Sequence, residues 1–461
     1  MANDNSAGKP QFWAREGLRI LIQETPVLSF VNRQFSDELA VAGEQVNAYR
    51  ADKRKTRRKD ASDANTAADA NLTAVPVVLD QYFFDAFILN DEEDALSLPE
   101  LTRIHAKPAI DTIVTGCSRA ILGRCHAFLR QGSPSKRAGR LDSMTSSNAA
   151  DFILEAEEVL TDNNAPVSAM KVAIVHHTAN TKLMRSDTFE RADARLADGS
   201  VMTGRVGKVY NTTVIMSQDV NYAITANLDT EDKAINNAAG YAAGVATALT
   251  TDGGGTAYTV GEYVVVAGND QPTFATAATS TTSVTLNEAL KYAVVDDAVI
   301  KHYQAGANEA TARAIGYKKE MVITHNSGKY IQEGQLISFG TGATRHTYTV
   351  IEVDTDAQTA TTTPVLLDRP LDIAVGSAEA CFPGPGGSMN IVMNENAIAF
   401  VSRPMKAKAG RGVVSAIASE HGLSIRVQEA DELSASGTRY VVDLLAGVSV
   451  LDEDLLCVML G

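Results

Sequence analysis

The sequence predicts an α+β protein in which a β-rich block interrupts an α/β body. Three observations carry this. Ile110, Ile113, Val114, Cys117, Ile121, Cys125 and Phe128 keep the spacing of one helical face inside residues 97–132. Residues 223–388 are rich in Thr, Ala, Gly and Val, broken by Gly-Asn, Gly-Gly and Pro-Gly, and nearly lack helical spacing. After PGPGG at 383–387 the α/β character returns.

Composition sets the outer limits. The chain has 461 residues, 45% of them hydrophobic and 21% charged, which suits a globular protein with a large buried core. No run approaches the ~20 apolar residues of a membrane span. The opening MANDNSAGKPQFWAREG lacks the apolar centre of a secretory signal, so a soluble protein kept in a cytoplasm is expected. The formal net charge of -15 opposes general nucleic-acid binding, because phosphate-tracking surfaces are basic. Cys117, Cys125, Cys381 and Cys457 are scattered without zinc spacing and read as reduced, buried thiols.

Along the chain, Phe12, Trp13, Leu18, Ile20, Leu21 and Ile22 suggest a short amphipathic helix, and TPVLSFVNRQFSDEL an extended arm. Residues 39–90 read as two arms of a long β-excursion, AGEQVNAYR and LTAVPVVLDQYFFDAFIL, joined by a polar insert. Ser97 and Glu100 form a capping box, Pro108 sits in the first turn of a longer helix, and Gly132 with Pro134 stops it. Roughly 24 residues make a rod of about 36 Å. SSNAADFILEAEEVL reads as a capped helix, and KVAIVHH and YNTTVIMS as strands. In the β block, GEYVVVAGN at 261–269 resembles EGQLISFGT at 333–341. Val284, Leu286, Leu290, Ala293 and Val294 match Val365, Leu367, Leu371, Ala374 and Val375 at a constant offset. A weak duplication and chance both account for this. Beyond the block, NIVMNENAIAFVS is helix-compatible, SIRVQEA is a strand, and RYVVDLLAGVSVLDEDLLCVML holds two more.

A catalytic site is not visible. GxSxG, HExxH, GxGxxG after a strand and Walker A are all absent. Glycines 253–255 read as a hairpin turn. His176 and His177 end a strand, which would send their rings to opposite faces and away from a shared ion. No enzyme activity, cofactor or metal is expected. The notable feature is electrostatic. Arg50, Lys53, Arg54, Lys55, Arg57, Arg58 and Lys59 crowd into eleven positions, for a local charge of +5 after Asp52 and Asp60 are subtracted. A solvated loop, a nucleic-acid contact and an intersubunit contact all suit such a knot. Asp91, Glu92, Glu93 and Asp94 make an obvious counterpart, although charge at a helix N-terminus also explains them. If knot and acidic run lie at opposite ends of one excursion, they pair most naturally between two copies of the chain.

This layout resembles the major capsid protein of tailed double-stranded DNA phages, the Hong Kong phage coat fold, in the branch with an inserted β-rich domain. The resemblance covers the whole chain by order of elements. Its residues are FVNRQFSDE, VPVVLDQYFF, LPELTRIHAKPAIDTIV, NIVMNENAIAFVSRPM and GLSIRVQEADELSASGTRYVVDLLAGVSVLDEDLLCVML. It implies an N-terminal arm at 1–38, an extended loop at 39–90 and a peripheral domain with a spine helix at 91–147. It also implies an axial domain begun at 148–222 and completed with the peripheral sheet at 389–461. Residues 223–388 would be the inserted domain, as one barrel or two small modules. The implied function is self-assembly of hexamers and pentamers into an icosahedral head around DNA, which would be contacted only non-specifically. Implied partners are further copies, a separate scaffolding protein, a portal protein and a decoration or cement protein, with no membrane. The location would be the virion, and the host cytoplasm during assembly. Lys–Asn crosslinks, known in some relatives, are not expected. A β-rich head-decoration or adhesin-type protein would not need the arm, loop and spine, and an enzyme with a β insert would need a nucleophile–base or metal set, which is not visible.

Overall fold

A computed structural model describes residues 8–24, 26–33, 45–51, 72–90, 101–124, 137–138, 144–166, 170–186, 207–223, 230–244, 248–269, 273–277, 280–290, 292–341, 344–384, 386–407, 413–420, 423–432 and 437–460. Contacts divide the chain into two units. One comprises Met1–Glu24, Val31–Val114 and Asn396–Asp452; the other comprises Thr25–Phe30, Thr115–Glu395 and Glu453–Gly461.

In the first unit, helix α1 (Gly8–Glu24) buries Trp13, Ala14, Leu18 and Leu21, one helical stripe, while Phe12 stays exposed. Trp13 is the anchor. Its ring lies 4.6 Å from Tyr440 and 5.8 Å from Phe87, and its indole N–H donates to Thr102 Oγ1 at 2.8 Å. A Cβ at Gly17 would meet Ile110 at 3.1 Å, so the helix packs closely there. Strand β1 (Gln45–Ala51) pairs antiparallel with β2 (Leu72–Val78), so only the first part of the expected second arm, LTAVPVVLDQYFFDAFIL, belongs to the two-stranded excursion; its remainder joins another sheet. After Leu79 and Asp80 the chain continues as β3 (Gln81–Asn90). β3 pairs along ten positions with strand Gly437–Val450, whose other edge takes Leu423–Glu432 and Ile398–Arg403. Val413–Glu420 follows outside Leu423–Glu432. β3 is therefore a sheet edge among the described residues.

A π-helical turn, Thr102–Ala106, leads into helix α2 (Lys107–Arg124). Ile110, Ile113, Val114, Cys117 and Ile121 are all buried, as the spacing predicts. Pro108 explains the wider turn before it. Its ring would strike the carbonyl of Ile104 in a regular helix, and a π turn relieves that clash. Ser97, Glu100, Cys125, Phe128, Gly132 and Pro134 lie outside the described residues.

In the second unit, Pro26–Phe30 is a short 3-10 helix with Val27 and Leu28 buried, where an extended arm is expected. Proline at its first position, with φ fixed and no N–H to satisfy, favours that turn. A mixed sheet in this unit runs Arg137–Ala138, Leu456–Leu460, Gly387–Asn394, Lys171–Val175, Thr212–Met216 and Lys208–Val209. Helix α3 (Ala149–Asp162) buries Phe152, Ile153, Ala156 and Leu160. Asn148 stands at its N-cap, but its amide oxygen accepts from Thr145 N at 2.7 Å and does not cap the helix. Helix α4 (His177–Met184) follows the buried strand KVAIV. The helix-compatible NIVMNENAIAFVS instead belongs to two strands, Gly387–Asn394 and Ile398–Arg403. Every residue of the first is buried, so it needs apolar neighbours all round, and a helix with one polar face would not fit.

Residues 230–383 form two modules. The first holds β4 (Thr230–Ala234), β5 (Ala248–Thr250), β6 (Tyr263–Val266), β7 (Thr273–Ala277), β8 (Ser283–Leu286) and β9 (Val299–Tyr303). The second holds β10 (Gly306–Asn308), β11 (Met321–Thr324), β12 (Leu336–Phe339), β13 (His346–Val353), β14 (Thr362–Leu367) and β15 (Ala380–Pro383). Their strand orders are the same, β5-β8-β7-β6-β9-β4 and β11-β14-β13-β12-β15-β10. The second closes into a barrel through β10 and β11; the ends of the first meet in one bridge, Ile235 to Thr251. Equivalence reaches single bonds. Gly244 N donates to Leu290 O as Gly316 N does to Leu371 O, and Tyr241 bridges Val294 as Arg313 bridges Val375. Asp297 and Ala378, at the same offset, both take a positive φ, 62° and 51°. The internal match is thus a repeat of structure. Its pairs Val284/Val365, Leu286/Leu367, Leu290/Leu371 and Val294/Val375 are buried in both cores, whereas Ala293 and Ala374 are exposed in both.

Glycines 253–255 do not make a hairpin turn. They follow β5, which pairs with β8, and precede β6, which pairs with β7 and β9.

Candidate functional site

The charged contact expected from the sequence rests on two segments whose flanking strands are described. The basic knot follows Ala51 in the sequence, and the register of β1 with β2 ends at Ala51–Leu72. Arg50 is in β1, its backbone opposite Thr73. Lys53, Arg54, Lys55, Arg57, Arg58 and Lys59 lie outside the described residues, as do Asp91, Glu92, Glu93 and Asp94. The acidic run follows Asn90, the residue of β3 opposite Gly437. So the knot leaves one end of the β2–β3 course and the acidic run leaves the other.

Between these ends β3 presents a surface that the sequence reading did not single out. Its side chains alternate. Phe87 faces Trp13 and Tyr440, whereas Tyr82, Phe84 and Ile88 are 45%, 62% and 40% exposed. Tyr82 and Phe84 stack at 5.8 Å. Ile417 on Val413–Glu420 is 38% exposed as well. A polar clamp supports this surface. Arg426 grips the fully buried Asp443 through two bonds, Nε to Oδ1 at 3.0 Å and Nη2 to Oδ2 at 2.6 Å. Gln428 Nε2 and Tyr82 O–H also donate to Asp443 Oδ2, at 2.9 and 2.8 Å. Burial, then this hydrogen bond, holds the Tyr82 hydroxyl above its usual pKa. Burial would lower the Arg426 pKa, but Asp443 raises it, so the guanidinium stays charged. The signal was in QYFFDAFILN, which is apolar at both alternating sets of positions; a strand apolar on both faces must be covered on both.

Among the described residues no group of three His, Cys, Asp or Glu could hold a metal ion, and no helix is long and apolar enough to cross a membrane. The rings of His176 and His177 do not point apart as expected; their centroids are 3.9 Å from each other. The strand ends at Val175, and His176 caps α4, so the two-residue alternation no longer applies. Burial, then the neighbouring His177, lowers the His176 pKa to about 4, which keeps it neutral. Cys117, Cys381 and Cys457 are buried, and burial pushes the Cys117 and Cys381 thiols up to about 12.

No protein-family model and no curated protein matches the chain. It is similar to a solved chain from Mycobacterium phage Che8, at 12% identity across 94% of this chain and 90% of that one, with a TM-score of 0.44. It is also similar to a chain in the capsid structure of the cyanophage P-SCSP1u, at 9% identity across 91% and 84%, TM-score 0.43. A chain in the asymmetric unit of the bacteriophage PhiM1 mature capsid gives 9% identity across 93% and 86%, TM-score 0.42.

Proposed function

We propose that this chain is a coat subunit that tiles with copies of itself into a closed phage head around double-stranded DNA. The observation that supports this best is β3: a ten-residue edge, unpaired on its outer side among the described residues, with Tyr82, Phe84 and Ile88 exposed beside it. An exposed, flat, apolar edge invites association, and single-chain proteins usually blunt it with charge, proline or a covering element. β3 carries only Asp85 among charged residues and no proline. In a lattice it would be covered by a neighbour.

The electrostatic part of the proposal concerns the two ends of the excursion. Arg50, Lys53, Arg54, Lys55, Arg57, Arg58 and Lys59 of one copy would seat on Asp91, Glu92, Glu93 and Asp94 of another. One such rim pair contributes only ~0–1 kcal/mol. Symmetry repeats it, so many weak contacts set register and salt sensitivity together. Hexamers and pentamers, with separate scaffolding, portal and decoration proteins, belong to the same proposal.

Electron microscopy of the expressed chain separates this reading from a decoration or adhesin-type role. Closed shells or open polyheads are expected; uniform small particles would replace the coat reading. Arg57→Glu with Arg58→Glu is expected to leave the subunit folded and to block or misdirect assembly. Normal shells from that double variant would remove the knot from the contact.

A further inference from the structure

The five-stranded sheet of the first unit ends in two strands, β3 and Val413–Glu420, whose outer sides meet no other strand among the described residues. Each holds a single charged residue, Asp85 in one and Glu420 in the other, and neither holds proline. Such edges are not blunted against pairing. Three antiparallel steps separate them, through Gly437–Val450 and Leu423–Glu432, so β3 and Val413–Glu420 run in opposite directions. A second copy laid alongside in the same orientation brings its Val413–Glu420 antiparallel to β3, and the alternation of the sheet continues.

Side chains select the register. Phe84, Asp443, Arg426 and Ile417 stand opposite one another in a row across the sheet. The row lies on the face away from α1, because Phe87, three positions from Phe84, faces Trp13. Phe84 at one end of the row is 62% exposed and Ile417 at the other is 38% exposed, with the Arg426–Asp443 clamp between them. Setting Phe84 of one copy opposite Ile417 of the next also sets Ile88 opposite Val413 and Phe87 opposite Val414, and Asp85 then faces Ala416. A slip of two residues either way puts Phe84 against Ser415 or Ser419 and loses the Ile88–Val413 match. Charge agrees at the strand ends. Asp91, Glu92, Glu93 and Asp94 follow β3 in the sequence, and Lys406, Lys408 and Arg411 precede Val413. Antiparallel alignment brings those two ends side by side, acidic against basic.

We propose that β3 of one copy pairs edge to edge with Val413–Glu420 of the next, Phe84 opposite Ile417, so that one sheet runs through successive subunits. This pairing rests on the coat reading and names the strand that covers β3. The contact is heterologous: each copy gives one edge and receives the other, which generates rings or rows. Pairing of β3 with β3 would stop at two copies and leave Val413–Glu420 uncovered. The edge contact shares its acidic run with the knot, so it needs a test of its own.

Shells assembled under reducing conditions from the double variant Phe84→Cys with Ile417→Cys, then oxidised and run on a denaturing gel, supply that test. Residues directly opposite in an antiparallel pair lie about 4.5–5.5 Å apart, within disulfide reach. A ladder of covalent trimers and larger species is expected, with each single variant remaining monomeric. Dimers from Phe84→Cys alone would mean that β3 meets β3 and would overturn the proposal. If the double variant forms no shells, Ile88→Cys with Val413→Cys carries the same test one register step along. Normal shells without a ladder overturn the edge pairing and leave the coat reading standing; absence of shells from the unaltered chain removes both. Hydrogen exchange on the unaltered chain needs no substitution. Outward-pointing amides of both strands should slow about tenfold or more on assembly, and unchanged exchange in either strand overturns the pairing.

Discussion

The two modules share a strand order and repeat one another's turn bonds, yet they bury charge in different places. In the first, the charge is inside. His302, wholly buried, has Nε2 2.5 Å from Glu262 and Nδ1 3.6 Å from Glu231, and Lys233 lies over the ring of Tyr258. In the second, Gln335 stands where Glu262 stands. It makes the matching turn bond, accepting from Gln332 N as Glu262 does from Thr259 N. The buried ion pairs of the second module lie at the foot of α2. Arg369 pairs with Asp368 at 3.0 Å and Asp372 at 2.8 Å, and a Cβ on Gly123 would lie 2.5 Å from Asp368 Cβ. At the matching places the first module has Asn287, Glu288 and Lys291. The backbone is thus set by the small set of buried apolar residues and positive-φ turns that both share. Charge is set by what each module touches.

Substitutions that exchange these environments put the comparison at risk. Asp368→Ala should cost about 3–5 kcal/mol, because Arg369 loses its buried partner. Asn287→Ala at the matching, half-buried place should cost well under about 1 kcal/mol. Equal losses, read from amide exchange in each module, would mean that the surroundings do not decide the cost. Exchanging the interior pair comes next. Gln335→Glu puts a carboxylate in a wholly buried place without a histidine and should cost about 3 kcal/mol. Glu262→Gln should cost about 1–3 kcal/mol through the lost charged hydrogen bond. A cheap Gln335→Glu would show that the second module tolerates charge where it has none. The smallest effect is a pH dependence. Burial would raise the Asp372 pKa, but Arg369 takes it below its ordinary value near 3.8. Its contribution is therefore complete above that value and is lost as pH falls through the lower, folded pKa. Asp372→Asn should flatten that acid limb in a urea titration at several pH values.

Much of this was readable from residue order. The buried face of α2, the β1–β2 pair and the matched apolar positions of the modules follow from spacing alone, because burial imposes period on side chains. The misreadings have one source: local spacing does not reveal what surrounds an element. NIVMNENAIAFVS passes for a helix until all-round burial makes it strand. His176 and His177 alternate only if the strand continues past Val175, and it stops there. Glycines 253–255 permit a tight turn, but strand order, a long-range matter, does not close one. The buried pairs Glu262–His302 and Arg426–Asp443 join residues 40 and 17 positions apart, and no local pattern links them.

Only Gln304 and Ala305 separate β9 from β10, and Ala305 N is tied to Glu262 Oε1 at 2.9 Å. Arg345, fully enclosed, lies 4.3 Å over the Tyr263 ring and donates to Gly261 O, so a second strut crosses the same joint. With so short a splice and two braces, a twist applied to either module passes to the other as torque. The pair should turn as one lever.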